Sequence, residues 1–395
     1  MNKSEEYAFS LARRSSLTLW SYATPLNGRT RKELCDVLIM FPPHLAILSV
    51  KEIHLGGTSQ PEVERWTRRA IRESAKQIYG AERWLRSATH IVRSDGTVGL
   101  PLPRPDHISV HRIAVALGSR GKAPVSSGDF GRGLVHVFDD RAFEIILGEL
   151  DTPADLFSYL AQKEAFAASC AHILLEGGEE DMLAWYLAND RSFPTAATGV
   201  VSIGSGLWED FSAKPGYAAK CQANKSSLVW DSLIESVAHY VLTDTLEFGG
   251  TLTETELALR QMASETRYQR RVLGHAFEDF LIQSAPSIRS RLVASESGTT
   301  YVFLATPHGT DRRDRVVELH ARCFAARGRV LHNPTVIGIA TEQYVKGAGH
   351  SLDVVGFFKP EWTLDDQKAL DELVAIVPYF KGDMRRAFNE PEYPG

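Results

Sequence analysis

Cysteine is scarce and scattered, with only Cys35, Cys170, Cys221 and Cys323 in 395 residues. No CxxC pair and no Cys/His cluster occurs, which argues against zinc and against a disulfide framework and fits a reducing cytoplasm. Long apolar runs are also missing. None approaches the roughly 20 residues that span a bilayer. The opening Met1-Asn2-Lys3-Ser4-Glu5-Glu6, followed by an amphipathic helix, does not read as a secretory signal, so the expected location is cytoplasmic with no membrane partner. Tandem repeats and low-complexity tracts are absent. Three signatures of chemistry fail on inspection. Gly118-Ser119-Arg120-Gly121-Lys122 is too short for a Walker A loop, and no Ser/Thr follows its lysine. Ile203-Gly204-Ser205-Gly206 lacks the first glycine of a nucleophile elbow. His107 and His111 lie four apart in an expected strand with no glutamate after the first, so they read as ordinary histidines.

What remains is the composition of a globular protein, 44% hydrophobic and 24% charged, long enough for two or three domains. The net charge of −5 is unevenly spread. Residues 1–100 carry 15 Lys and Arg against 10 Asp and Glu, a surplus of +5, and the rest of the chain carries −10. A basic first third on an acidic chain points to a polyanionic partner for that third.

Two short apolar runs, Val37 to Phe41 and Leu45 to Leu48, flank Pro42-Pro43 and predict a buried hairpin. With a loop from Pro42 to Leu45, Phe41 faces Ala46, Leu38 faces Ser49 and Asp36 faces Lys51. Strand alternation then puts Asp36, Leu38, Ser49 and Lys51 on one face. An acid beside a lysine at the open end of an apolar hairpin makes a polar pocket. The competing reading is a buried ion pair that only fixes register, an uncommon way to build a core.

Upstream, residues 4–17 predict a helix with Ser4 as cap and Glu5 and Glu6 in its positive first turn. Leu17 to Tyr22 reads as a first strand. Downstream, Glu62 to Leu85 predicts a long helix. At 100° per residue, Arg65, Arg69, Arg72, Lys76 and Arg83 fall within about 60° of each other, opposite a core face that includes Trp66, Ala70, Ser74 and Ile78. Gln77 lies on the apolar side, about 120° from Arg65, where a glutamine needs polar partners. Strands are expected over 107–117 and 134–138 and helices over 156–175 and 181–188. Residues 227–283 read as mostly helical. Residues 300–380 alternate strand, helix, strand, strand, helix, an α/β pattern. Arg312, Arg313 and Arg315 read as solvated, and the tail from Asn389 to Gly395 as frayed.

The order of parts resembles the PD-(D/E)XK nuclease superfamily, in particular its NERD-like and RecB-like branches, over roughly residues 1–115. The resemblance rests on Leu19-Trp20-Ser21-Tyr22, Glu33-Leu34-Cys35-Asp36, Ser49-Val50-Lys51-Glu52 and Gln77-Ile78-Tyr79-Gly80-Ala81-Glu82, and extends to stand-alone bacterial proteins of phage-defence type. It implies an α/β (α+β) chain with three parts. These are a restriction-endonuclease-like αβββαβ core within residues 1–150, a mostly helical middle region at 151–290 and a C-terminal α/β region at 291–395. It also implies Mg²⁺- or Mn²⁺-dependent hydrolysis of phosphodiester bonds, with DNA as the first-choice substrate and self-association or a phage-derived trigger as further partners. Asp36 would be the central metal ligand and Glu5, or Glu6, the helix acid acting through water. Lys51 would orient the attacking water, and Gln77 would fix the lysine or a metal-bound water. Arg65, Arg69, Arg72, Lys76 and Arg83 would hold the nucleic-acid backbone.

Two departures stand out. Ser49 occupies the position where the superfamily has Asp or Glu, leaving Glu33 and Glu52 as substitutes. Ala81 stands four residues after Gln77, where the RecB-like element has Tyr. The runner-up reading is a nuclease fold that has lost catalysis and only binds nucleic acid or a protein partner.

Overall fold

Helix α1 (Lys3–Trp20) opens the chain and takes in four residues, 17–20, of the strand expected over 17–22. Leu17 breaks its geometry with a φ of 64°, and the strand that follows is only Ser21–Ala23 (β1). The cap is Asn2 rather than Ser4: the Asn2 side chain accepts from the Glu5 N–H, and the Glu5 carboxylate accepts in return from the Asn2 N–H. Ser4 instead donates to the Glu52 carboxylate. In this computed structural model the described residues are 1–170, 172–194, 199–243, 245, 252–283, 287–345, 347, 349–380 and 390–394. They form two units, Met1–Ala218 and Ala219–Gly395. The boundaries expected at 150 and 290 fall inside these units, because the helices after residue 150 pack onto the first sheet and those before 290 onto the second.

In the first unit, β2 (Val37–Phe41) and β3 (His44–Glu52) form the predicted hairpin. Pro42 and Pro43 alone make the turn, so Phe41 pairs with His44 and Leu38 with Ile47. The expected register, with Leu38 opposite Ser49 and Asp36 opposite Lys51, is therefore corrected by two residues. A shift of two preserves alternation, so Leu38, Ile47, Ser49 and Lys51 still share a face. Next comes the long helix in three pieces: α2 (Gln60–Thr67), a π-helical turn over Arg68–Arg72 and α3 (Glu73–Leu85). A small hairpin, β4 (His90–Val92) and β5 (Val98–Pro101), precedes β6 (Ser109–Leu117). Then follow β7 (Gly128–Asp129), β8 (Leu134–Phe138), α4 (Asp140–Glu149) and α5 (Pro153–Ser169). Cys170 ends α5, and His172–Leu175 (β9) pairs with β10 (Val200–Ile203) across α6 (Glu179–Ala188), so the helix expected to reach 175 stops short. Helix α7 (Leu207–Ser212) follows, and the first unit ends at Ala218, within α8 (Pro215–Ala223).

The main sheet runs β1-β2-β3-β6-β8-β7, with β3, β6 and β8 parallel. Parallel neighbours need a crossover connection, and the segment carrying α2 and α3 supplies it between β3 and β6. Helix α3 covers the face that carries Ser49 and Arg112, through Ser49–Gln77 and Arg112–Glu82 hydrogen bonds. On the other face, α1 and α5 cover His44, His111 and Phe41, with Trp20 and Phe157 packed against Phe41.

The second unit begins with α9 (Leu228–Leu242), α10 (Leu252–Ala263) and α11 (Arg267–Ile282). A sheet follows from β11 (Arg289–Ala294), β12 (Thr299–Thr306), β13 (Thr335–Glu342) and β14 (Leu352–Phe358), in that order. Helix α12 (Arg312–Arg329) crosses between parallel β12 and β13, and α13 (Leu364–Ile376) closes the fold. Helix α12 lies so near β13 that a Cβ on Gly338 would stand 2.6 Å from Cys323 Sγ. Arg315 is fully buried between Glu342 and Asp353, and Arg312 also bonds Asp353, so neither is the solvated cation expected. Pro391 and Glu392 accept from Arg271, and Glu390 from Tyr268, which ties down part of the tail expected to fray. Asn389 and Gly395 lie outside the described residues. The class is mixed α/β, as expected.

Candidate active site

Asp36 ends the segment before β2, 3% exposed, and its Oδ2 accepts the Val50 N–H at 2.5 Å. A backbone donor aimed at a buried carboxylate fixes its orientation. Ser49 is fully buried on the α3-facing side of β3 and donates to Gln77 Oε1 at 3.1 Å. Gln77 is thus turned inward, as its position on the apolar side of the helix predicts. Lys51, two residues on and half-buried, reaches the end of the same strand face.

There β3 meets the start of α1 in a cleft of about 390 Å³ that Ser4, Glu5, Lys51 and Glu52 help to line. Glu6 is exposed and does not line it. Glu33 completes the acid group. Burial first, then hydrogen bonding to Asp36 and the negative charges of Asp36 and Glu5, raise its carboxyl above the ordinary range. Desolvation is the largest cause although Glu33 is exposed overall, and the neighbouring acids Asp36 and Glu5 add a repulsion that a bound cation would relieve.

Carboxylate oxygens are the ligands a hard divalent cation takes, and Glu33 is hydrogen-bonded to Asp36 with Glu5 near enough to act on it through charge. Glu5 already spends both oxygens on Asn2, at 2.8 and 2.6 Å, which fits a ligand acting through water better than one touching the metal. Of the two acids expected to compensate for Ser49, Glu33 is the one that interacts directly with Asp36. Glu52, exposed like Glu33, is instead bonded to Ser4 at the cleft edge.

The five cations expected to hold the backbone, Arg65, Arg69, Arg72, Lys76 and Arg83, are all exposed. Their row is not the straight stripe of a 100° helix. The π turn at Arg68–Arg72 inserts a wider loop and changes the phase between Arg65 and the cations on α3. Beyond it, Tyr79, Glu82 and Arg112 lock the helix to the sheet: Tyr79 donates to the Gly133 carbonyl, and Glu82 pairs with Arg112.

Sequence reasoning missed a second polar cluster, of His44, His111, His136 and Glu164, on the opposite face of the sheet. Only the alternation of His111 and His136 within their strands hinted at it, because Glu164 arrives from a helix distant in sequence. The described residues contain no helix long and apolar enough to cross a membrane. No family model, no curated protein and no solved structure matches the chain.

Proposed function

We propose that the first unit is a metal-dependent nuclease of PD-(D/E)XK type that hydrolyses phosphodiester bonds in nucleic acid, with DNA the first candidate. The observation that carries this reading is the convergence of Asp36, Ser49, Lys51, Gln77, Glu33 and Glu5 at one end of an α-β-hairpin-α-β core. Asp36 and Glu33 would hold a Mg²⁺ or Mn²⁺ ion, with Glu5 acting through water. When bound, that ion polarises the phosphate and acidifies a water.

The chain's own residues do the rest. Lys51 brings a cation to the cleft, where it orients the attacking water and offsets charge developing on the phosphate. Gln77, held by Ser49, keeps a polar wall beside the lysine. The Val50 N–H holds Asp36 in place. Arg65, Arg69, Arg72, Lys76 and Arg83 supply sequence-independent attraction for the backbone. A role in bacterial defence against phage, and a cytoplasmic site of action, follow from the same resemblance.

Ser49 in place of an acid, together with the internally bonded Glu5, favours a second reading: a fold that binds nucleic acid without cutting it. Cleavage assays on plasmid and linear DNA with Mg²⁺, Mn²⁺ or chelator separate the two. Metal-dependent cutting supports the nuclease, and salt-sensitive binding without cutting supports the binding module.

A further inference from the structure

On the sheet face covered by α5, three side chains from three elements aim at one point. His111 on β6 and His136 on the neighbouring parallel strand β8 share that face, since Ile113 pairs with His136. Glu164 on α5 meets both. Its Oε1 lies 2.9 Å from His111 Nδ1 and 3.0 Å from His136 Nε2, and the three ligand atoms fall within 4.8 Å of one another. The two imidazoles are 1% and 0% exposed, while Glu164 is 27% exposed and gives the point an opening.

We propose that His111, His136 and Glu164 form a three-ligand site for one divalent transition-metal ion of the Zn²⁺ class, separate from the proposed nuclease centre. Two nitrogens and one carboxylate oxygen match the borderline ions, whereas Mg²⁺ and Ca²⁺ take oxygen ligands. Ligands about 2.0–2.1 Å from a tetrahedral ion stand about 3.3 Å apart, so the observed 2.9 and 3.0 Å need only a small outward movement. The supporting shell is also present. His44 Nδ1 lies 3.1 Å from His111 Nε2, the outer partner that orients a ligating ring. Phe157 stacks on His44 with ring centres 4.9 Å apart and packs against His111 at 5.4 Å, closing the apolar side.

The protonation states agree with this use. Burial first, with the charge of Lys163 against hydrogen bonding to Glu164, lowers His136 to about 4, so the ring is neutral at pH 7. Burial works to raise Glu164, and hydrogen bonds with His111 and His136 overcome it and bring the carboxyl down to about 2. Binding then asks each ring to carry its proton on its other nitrogen. At His111 that nitrogen faces His44. At His136 it is Nδ1, which has no protein partner.

The test uses the full chain, stripped with chelator and titrated separately with Zn²⁺, Co²⁺ and Mg²⁺, with bound metal counted by mass spectrometry. The expected result is one Zn²⁺ per chain in the wild type and in Asp36→Ala, a rise in Tm on binding, and no Mg²⁺ retained at this site. Bound Co²⁺ should show the intense visible absorption of low-coordinate cobalt. Glu164→Gln and His136→Gln should lower Zn²⁺ affinity about 100-fold or more. Wild-type protein that binds no Zn²⁺ or Co²⁺ overturns the proposal even if the variants fail to fold. Zn²⁺ retained undiminished in Glu164→Gln, or lost in Asp36→Ala, overturns it as well. Cleavage activity is not the readout, so the nuclease reading stands or falls separately.

Discussion

The Ser49 hydroxyl donates to Oε1 of Gln77 across 3.1 Å, tying β3 to α3 beside Asp36. This bond sits where an acidic ligand would stand in the nuclease reading, so Ser49→Asp is informative. The amide of Gln77 can turn to donate to the new carboxylate. Ser49→Asp should therefore lower the Mg²⁺ concentration for half-maximal cleavage, by about tenfold if the added acid acts as supporting-shell partners do. Ser49→Asp protein that folds but needs more Mg²⁺ than wild type would contradict the placement of the metal.

In the proposed centre, Glu33 stands in for the acid missing at Ser49. Its carboxyl is raised by burial, by hydrogen bonding to Asp36 and by the charges of Asp36 and Glu5, so protons compete with metal there. Apparent Mg²⁺ affinity should fall as pH drops through the raised Glu33 range. Glu33→Gln should weaken it by about 10- to 100-fold at neutral pH and flatten that dependence. Metal titrations at a series of pH values read both effects.

The exposed cations of α2, the π turn and α3 should act through charge alone. Replacing Arg69 and Arg72 together with glutamate should weaken DNA binding for all sequences alike. The slope of log K against log salt should shrink by about 0.9 for each phosphate that is no longer neutralised. An unchanged slope with weaker binding would place the backbone elsewhere.

His136 gives a stability prediction. Folded, its Nε2 faces Glu164 and its Nδ1 has no partner, so a second proton would sit unpaired in the interior. Lys163 and Glu179 are the other charged groups acting on it. The unfolded ring takes its proton near 6.5 and the folded ring only near 4, so between these values the unfolded chain binds more protons. Stability is full above 6.5 and falls as pH drops toward 4, by roughly 3 kcal/mol for this group. His44, lowered to about 4 by burial and by His111, adds in the same direction. Urea unfolding in chelator from pH 7 to pH 4 should show this loss, and His136→Gln should reduce it.

Much of this arrangement is legible in the residues alone. Apolar runs with a Pro-Pro break give the hairpin, and helical phase gives the inward Gln77, because period and burial are local properties of sequence. The register is not legible to the residue. Two prolines can form the whole turn, and nothing in composition distinguishes that turn from a four-residue loop. The π turn at Arg68–Arg72 is equally hidden, since its residue types suit an α-helix. The substitute acid Glu33 can be named as a candidate, but Glu52 stays equally open until Ser4 is seen to hold it. The His111–His136–Glu164 cluster is barely hinted at in sequence, because it needs strand pairing and a helix docked across it.

Lys51 carries the central claim, that this end of the sheet is a nuclease centre. It is half-buried near the end of β3 and lines the cleft with Glu5. The direct measurement is cleavage of supercoiled plasmid in Mg²⁺ or Mn²⁺ by wild type, Lys51→Ala and Asp36→Ala, with Tm and DNA affinity recorded for each. Metal-dependent cutting should fall at least about 10²- to 10³-fold in Lys51→Ala. Its DNA affinity should stay within a few-fold of wild type, and its Tm within a few degrees. Cutting that survives in both variants would contradict the account, as would a Lys51→Ala protein that loses its fold and its DNA binding together.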